Sequence, residues 1–235
     1  LRVEATPYTL YSKGAAEKIL TMLPNAVMLF ILRDPLERLF SDYRMHKQRE
    51  AAYVRDKSFE EYVEMQFNST TNIPNNLELG CYLKYLRLFF DAFGHNRVHI
   101  LFFEEFKANP ATQMQKLCRV LGINPEFYPS YHFNTHNQSI NVRYGWLNRV
   151  RLGLEPVVAN LRVRVIHNPK IHQAFENIVS SGKFALHNLN KQKSKDVESI
   201  PDAIQSKLVD YYRPHNQALS EELGRSLPWK FFQQT

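Results

Sequence analysis

Cysteine is nearly absent from this chain. Only Cys81 and Cys118 occur; they match no metal-ligand spacing and each lies in an apolar helical pattern, so two buried, reduced thiols are expected and a disulfide framework is excluded. No apolar run reaches the roughly 18 residues that a membrane-spanning helix needs. Glycine is also scarce. None of the eight glycines stands in G-x-x-x-x-G-K-[ST] spacing or in a Gly-rich strand-to-helix turn, so no phosphate loop is visible. A P-loop kinase also requires a magnesium carboxylate, and neither part can be placed. Acidic residues are in deficit, 23 against 30 Lys and Arg, for a net charge of +7. That excess attracts anions but does not choose between nucleotide, acidic polysaccharide, nucleic acid and membrane surface. Apolar material is ample: 44% hydrophobic and 13% aromatic residues over 235 positions suffice for the core of one large or two small domains. Leu1 stands where an initiator methionine would, so a processed or trimmed chain is expected.

The chain is organised around Val27 to Tyr43, VMLFILRDPLERLFSDY. The apolar residues Val27 to Leu32 suit a strand buried on both faces. Asp34 then occupies an N-cap position, Pro35 the first helical position, and Glu37 completes a D-x-x-E capping pattern. On the helix that follows, Leu36, Leu39, Phe40 and Tyr43 form an apolar stripe, and Glu37, Ser41 and Arg44 form a polar side onto which Arg33 can project. A guanidinium, a hydroxyl and a helix N-terminus in one corner suit a phosphate.

Further strands are expected at Leu1 to Ala5 and Val98 to Phe103. Helices are expected from about Ser12 to Met22, from Ser58 with a second capping pattern, over Leu77 to Phe93 with Gly94 as C-cap, and from Pro201 to about Gly224. Asn68 to Asn76 reads as a loop that either borders an acceptor or is plain surface, and Phe184 to Ser199 as a polar, mobile loop. Two sequons, Asn68-Ser-Thr70 and Asn137-Gln-Ser139, carry meaning only in a secretory setting. His132 and His136 lie in a loop-like context with no third ligand, so no metal site is expected. Glu104 and Glu105 are adjacent on a strand and so point to opposite faces, which argues against paired acid–base work. Arg143, Arg149, Arg151, Arg162 and Arg164 make a basic stretch, either an acceptor surface or a solvated helix face.

Arg33-Asp-Pro-Leu-Glu-Arg38-Leu-Phe-Ser41-Asp-Tyr43 resembles the R-[DN]-P-x-x-R-x-x-S-x-Y segment of sulfotransferases that use 3'-phosphoadenosine 5'-phosphosulfate (PAPS). Gly80-Cys-Tyr82, Phe103-Glu-Glu-Phe106 and Leu121-Gly-Ile123 follow the family's G-x-Y, [YF]-E-[DE]-[LF] and F-L-G pattern. Tyr212, Asn216, Leu219, Leu223, Leu227 and Trp229 resemble its C-terminal ending. Glu4-Ala-Thr-Pro-Tyr8 resembles the E-K-[ST]-P-x-Y element of carbohydrate-type members, with Ala5 in place of the lysine near the transferred sulfuryl group.

The resemblance implies a P-loop NTPase-like α/β fold, with a short, mainly parallel sheet flanked by helices, in a single domain over residues 1–235. The strand, phosphate loop and first helix that carry the 5'-phosphosulfate site in the family are expected to lie upstream of Leu1, and the catalytic base with them. It implies that Arg33 and Ser41 hold the 3'-phosphate and that Arg143 lies in the loop closing over the nucleotide. Phe103 either packs beside the adenine or belongs to the core. Glu4 is the one visible candidate for a general base, the competing reading being a carboxylate paired with a nearby arginine. The implied reaction is in-line sulfuryl transfer from PAPS, giving adenosine 3',5'-bisphosphate (PAP), to a hydroxyl or amine of a saccharide, lipid-like or small-molecule acceptor. No metal and no nucleic acid take part in it. A bacterial-type cytoplasmic enzyme is the expected setting, or the Golgi lumen if an anchor lies upstream. The competing class is a non-catalytic anion-binding module for acidic glycan or nucleic acid.

Overall fold

The computed structural model describes residues 2–49, 51, 53–68, 75–128, 131, 133, 141–142, 153–154, 156–163, 169–192 and 200–232. In chain order the elements that position the site are α1 (Ala15–Met22), β1 (Met28–Leu32), α2 (Pro35–Gln48), α3 (Phe59–Asn68), α4 (Tyr82–Phe93), β2 (Val98–Phe102), α5 (Phe103–Ala108) and α6 (Pro110–Val120). A closing helix covers Asp202–Leu223. The chain divides into two compact units, one of Leu1–Phe40, Val63–Thr135 and Ile200–Thr235, the other of Ser41–Tyr62 and His136–Ser199.

In the first unit β1 and β2 pair in parallel, in register from Met28 opposite Val98 to Leu32 opposite Phe102. A parallel pair needs a long crossover, and the segment between them supplies helices for it. On one face Phe30 and Leu32 join Phe89, Phe90 and Phe93 of α4 with Val98, Phe102, Leu219 and Trp229 in a single core. The α4 residues recur at helical spacing, and Gly94, at φ 72°, ends the helix as expected. Burial of β1 on both faces, expected from its unbroken apolar run, does not hold. Ile31 is 60% exposed while Leu32 next to it is buried, because the core lies on one face and successive strand residues face opposite ways. The expected strand at the N-terminus is also corrected: residues 2–6 form none. Val3, their one sizeable aliphatic side chain, is 81% exposed and gives a strand nothing to bury.

The closing helix buries Ile204, Leu208, Tyr212, Asn216 and Leu219 on one stripe and stops at Gly224, at φ 60°. Tyr212 donates its hydroxyl to the Leu77 carbonyl at 2.8 Å, and its ring lies over Gly80. A Cβ on Gly80 would stand 2.6 Å from Tyr212 Cε1 and 2.9 Å from Pro35 Cβ. Neither neighbour can yield easily, since the ring is buried and tied through its hydroxyl and the proline opens α2. Gly80→Ala is therefore expected to lose about 1–3 kcal/mol through overpacking, read as a lower urea midpoint at unchanged m value.

In the second unit Tyr43 is buried against Phe59 and Tyr62, and its hydroxyl donates to the Lys57 carbonyl at 2.8 Å while accepting from Lys47 Nζ at 2.7 Å. Ser58 and Glu61 form a reciprocal capping box: Ser58 N–H donates to Glu61 Oε2 at 2.7 Å, and Glu61 N–H to Ser58 Oγ at 3.2 Å. The Ser58 amide bond is the main reason the Glu61 carboxyl lies below its ordinary range. Asn141–Val142 pairs antiparallel with Lys191–Gln192. Residues 184–190, expected in a loop, instead continue the helix Pro169–Asn190. Phe175, Leu186 and Leu189 recur at helical spacing through the polar residues, so composition alone misleads there.

Candidate functional site

The site is the corner where β1 hands over to α2. Asp34 caps the helix, its Oδ1 accepting from Leu36 N–H at 3.0 Å and Glu37 N–H at 3.3 Å. Asp34 is only 2% exposed. Burial pushes its carboxyl up to about 6, helped by the charges of Glu37 and Glu104 and opposed by the two backbone bonds. The capping box inferred from D-x-x-E is not closed as expected. Glu37 turns outward to Arg33, its Oε2 3.3 Å from the guanidinium, and Asp34 N–H instead donates to Glu104 Oε1 at 2.9 Å. A carboxylate distant in sequence has taken the place of the local one.

Arg33 is held at both ends. Its guanidinium, about one third exposed, pairs with Glu37 and lies over the Phe103 ring at 5.2 Å. Its carbonyl accepts from the Tyr82 hydroxyl at 2.8 Å. Burial pushes the Tyr82 phenol far up, so the hydroxyl remains a neutral donor. Phe103 is 38% exposed and begins α5 rather than ending β2, so it is not a core side chain, and its ring carries the Arg33 guanidinium. Glu104 and Glu105 likewise sit in the first turn of α5, not on a strand. Their partners still differ, because Glu105 pairs with Arg225 while Glu104 caps α2.

The corner thus brings together Arg33 and Phe103 of the expected residues. It adds Tyr82 and Glu104, which the sequence placed in family-like segments without a task. The bonds they make span 49 and 70 residues, and no local pattern announces contacts of that separation. Arg38, on α2, donates to the Asn76 carbonyl. Asn76 N–H donates to Gln66 Oε1 at 2.7 Å, and these bonds anchor the chain at the end of the Asn-rich stretch. Ser41 lies on α2, seven residues after its N-cap, and is partly buried. Glu4 is exposed and accepts from the Thr6 hydroxyl; no arginine pairs with it among the described residues. Arg143, His132 and His136 lie outside the described residues. Among the described residues no three His, Cys, Asp or Glu side chains are grouped to hold a metal ion, and no helix is long and apolar enough to cross a membrane.

An arginine at the end of a parallel strand, beside a helix N-terminus, is an arrangement suited to binding an anion. The family model for the sulfotransferase domain matches residues 16–140, more than half of the chain, and the chain belongs to the sulfotransferase family. Carbohydrate sulfotransferase 15 of Homo sapiens is 30% identical over 118 residues, covering 43% of this chain and 21% of that protein. The Rattus norvegicus counterpart matches to the same extent, and the Mus musculus one at 29% identity. The chain thus spans about a fifth of the length of these relatives. The crystal structure of a sulfotransferase from Alicyclobacillus acidocaldarius superposes with a TM-score of 0.57 at 18% identity, over 94% of this chain and 63% of that one. That likeness establishes the P-loop-like α/β sulfotransferase fold.

Proposed function

We propose that this chain binds the 3'-phosphoadenosine half of PAPS and serves in transfer of its sulfuryl group to a hydroxyl or amine, with a saccharide the favoured acceptor. The observation that carries this reading is Arg33: a partly exposed guanidinium, held over the Phe103 ring at a helix N-terminus. A 3'-phosphate there would displace the Glu37 carboxylate or share the guanidinium with it, with charge-assisted bonds stronger than those of a partly exposed ion pair. Ser41 supplies a hydroxyl to the same phosphate, Phe103 offers a face to the adenine, and Arg143 adds a cation from the closing loop. All four assignments follow the family resemblance. The saccharide preference follows from the names of the relatives and from the net charge of +7.

The chemistry asked of such a site is in-line displacement at sulfur. A general base takes the acceptor proton as the oxygen or nitrogen attacks, and positive groups stabilise the departing PAP. Glu4 is the visible candidate for the base, and Ala5 leaves the neighbouring cation to another residue. Residues at the β1–α2 corner would bind and orient the nucleotide without touching the reacting sulfur.

The test is calorimetric titration with PAP. Arg33→Ala is expected to weaken binding roughly tenfold to a hundredfold and Ser41→Ala roughly fivefold, each with an unchanged thermal midpoint. Unchanged affinity in both would overturn the assignment. Steeply salt-dependent binding to polyanions with no saturable PAP binding would put the non-catalytic module in its place.

A further inference from the structure

Resting on the reading of Arg33 as the nucleotide's phosphate ligand, we infer that Tyr82 and Glu104 are positioning residues that pin the Arg33–Asp34 peptide group and so aim Arg33. Both polar atoms of that one peptide are held by side chains from other elements. Its carbonyl oxygen accepts from Tyr82 of α4 at 2.8 Å, and its N–H donates to Glu104 of α5 at 2.9 Å. A peptide plane fixed on both edges cannot rotate, and this rotation is what would swing the Arg33 side chain away from the corner. Neither partner reaches the anion; each acts through the backbone.

Two details separate this from ordinary packing. Glu37 has the spacing to close the capping box on Asp34 N–H, yet it faces Arg33 at 3.3 Å. Glu104 takes over the cap, which releases Glu37 to hold the guanidinium. Phe103, the residue before Glu104, supports that guanidinium at 5.2 Å. The first two residues of α5 therefore set Arg33 at both ends, one through its ring and one through its carboxylate. Tyr82 in turn packs on Trp229, with ring centroids 5.9 Å apart, so the hydroxyl is delivered from the rigid core.

The experiment measures PAP affinity by calorimetry, with thermal midpoints alongside. Glu104→Ala and Tyr82→Phe are each expected to weaken PAP about tenfold, while Glu104→Gln, whose side-chain oxygen still accepts from Asp34 N–H, stays within about twofold of the parent. Glu104→Asp keeps the charge but loses the reach; it should behave like the alanine variant and carries the test if that variant does not fold. Glu105→Ala, at the neighbouring position, should leave affinity unchanged. Parent-like affinity in Glu104→Asp or Tyr82→Phe, or a glutamine variant as weak as the alanine one, would overturn the inference. If Arg33→Ala also leaves PAP binding unchanged, the donor-site reading has failed instead, and the two failures are told apart.

Discussion

Trp229→Ala is expected to lose about 3–5 kcal/mol of stability, the range for deleting a large buried aromatic side chain. Trp229 is fully buried, and its ring lies 5.7 Å from Phe102, 5.9 Å from Tyr82 and 6.4 Å from Phe232 by centroid. It closes the core beneath the end of β2 and beside the helix that carries Tyr82. The cavity left by alanine is bounded by the sheet and α4, which cannot collapse into it without moving the Arg33 corner. Trp229→Phe is expected to cost much less. It keeps most of the apolar volume and removes a buried indole N–H that has no hydrogen-bond partner among the described residues, so little polar pairing is lost with it. Chemical denaturation of the two variants checks the ranking. A loss below about 1 kcal/mol for the alanine variant would show that the core is not closed by this residue.

Asp34→Asn is expected to stabilise the protein at neutral pH by up to about 3 kcal/mol. The carboxyl rises from its ordinary 3.8 to about 6 in the folded chain, chiefly because burial penalises its charge. Between those values the folded state holds the proton more firmly than the unfolded one, so this group's contribution to stability falls as pH rises from about 4 to about 6 and is flat above. Asparagine keeps the oxygen that accepts from Leu36 and Glu37 N–H, cannot ionise, and is an equally good N-cap. The family pattern admits either residue there. The expected result is a variant that matches the parent near pH 4 and exceeds it above pH 6, with the parent's slope between those limits removed. Denaturation midpoints across pH 4 to 8 measure it, and a slope retained in the variant would place the titration on another group.

Much of the corner was legible from sequence because its signals are local. The apolar run, the Asp-Pro step and the stripe from Leu36 to Tyr43 each depend on neighbours within a turn or two, and β1, the N-cap and α2 appear where those patterns put them. Gly94 and Gly224 ended their helices for the same reason: a left-handed residue is a requirement of the backbone itself. Where the reading missed, a distant partner had intervened. Glu37 had the right spacing for a capping box, but Glu104 arrived from beyond β2 and took the bond. Phe103 read equally well as an adenine contact or as core, and nothing local announced that, at the start of α5, it would lie half-exposed under the Arg33 guanidinium. Gly80 carried no sign that Tyr212 would lie across it.

Local patterns in the chain were enough for the strand ending in Arg33, the helix capped by Asp34 and the motif spacing shared with sulfotransferases. Those follow from backbone geometry, side-chain periodicity and residue identity, which neighbours in the chain suffice to express. Tertiary structure alone decided that the β1–β2 sheet buries one face, that Tyr82 and Glu104 meet on a single peptide, and that Phe103 lies beneath the guanidinium. Such contacts join residues tens of positions apart. They form only when burial of the α4 and Trp229 core has drawn those segments together, so that the Tyr82 hydroxyl meets the Arg33 carbonyl and the Asp34 N–H meets Glu104.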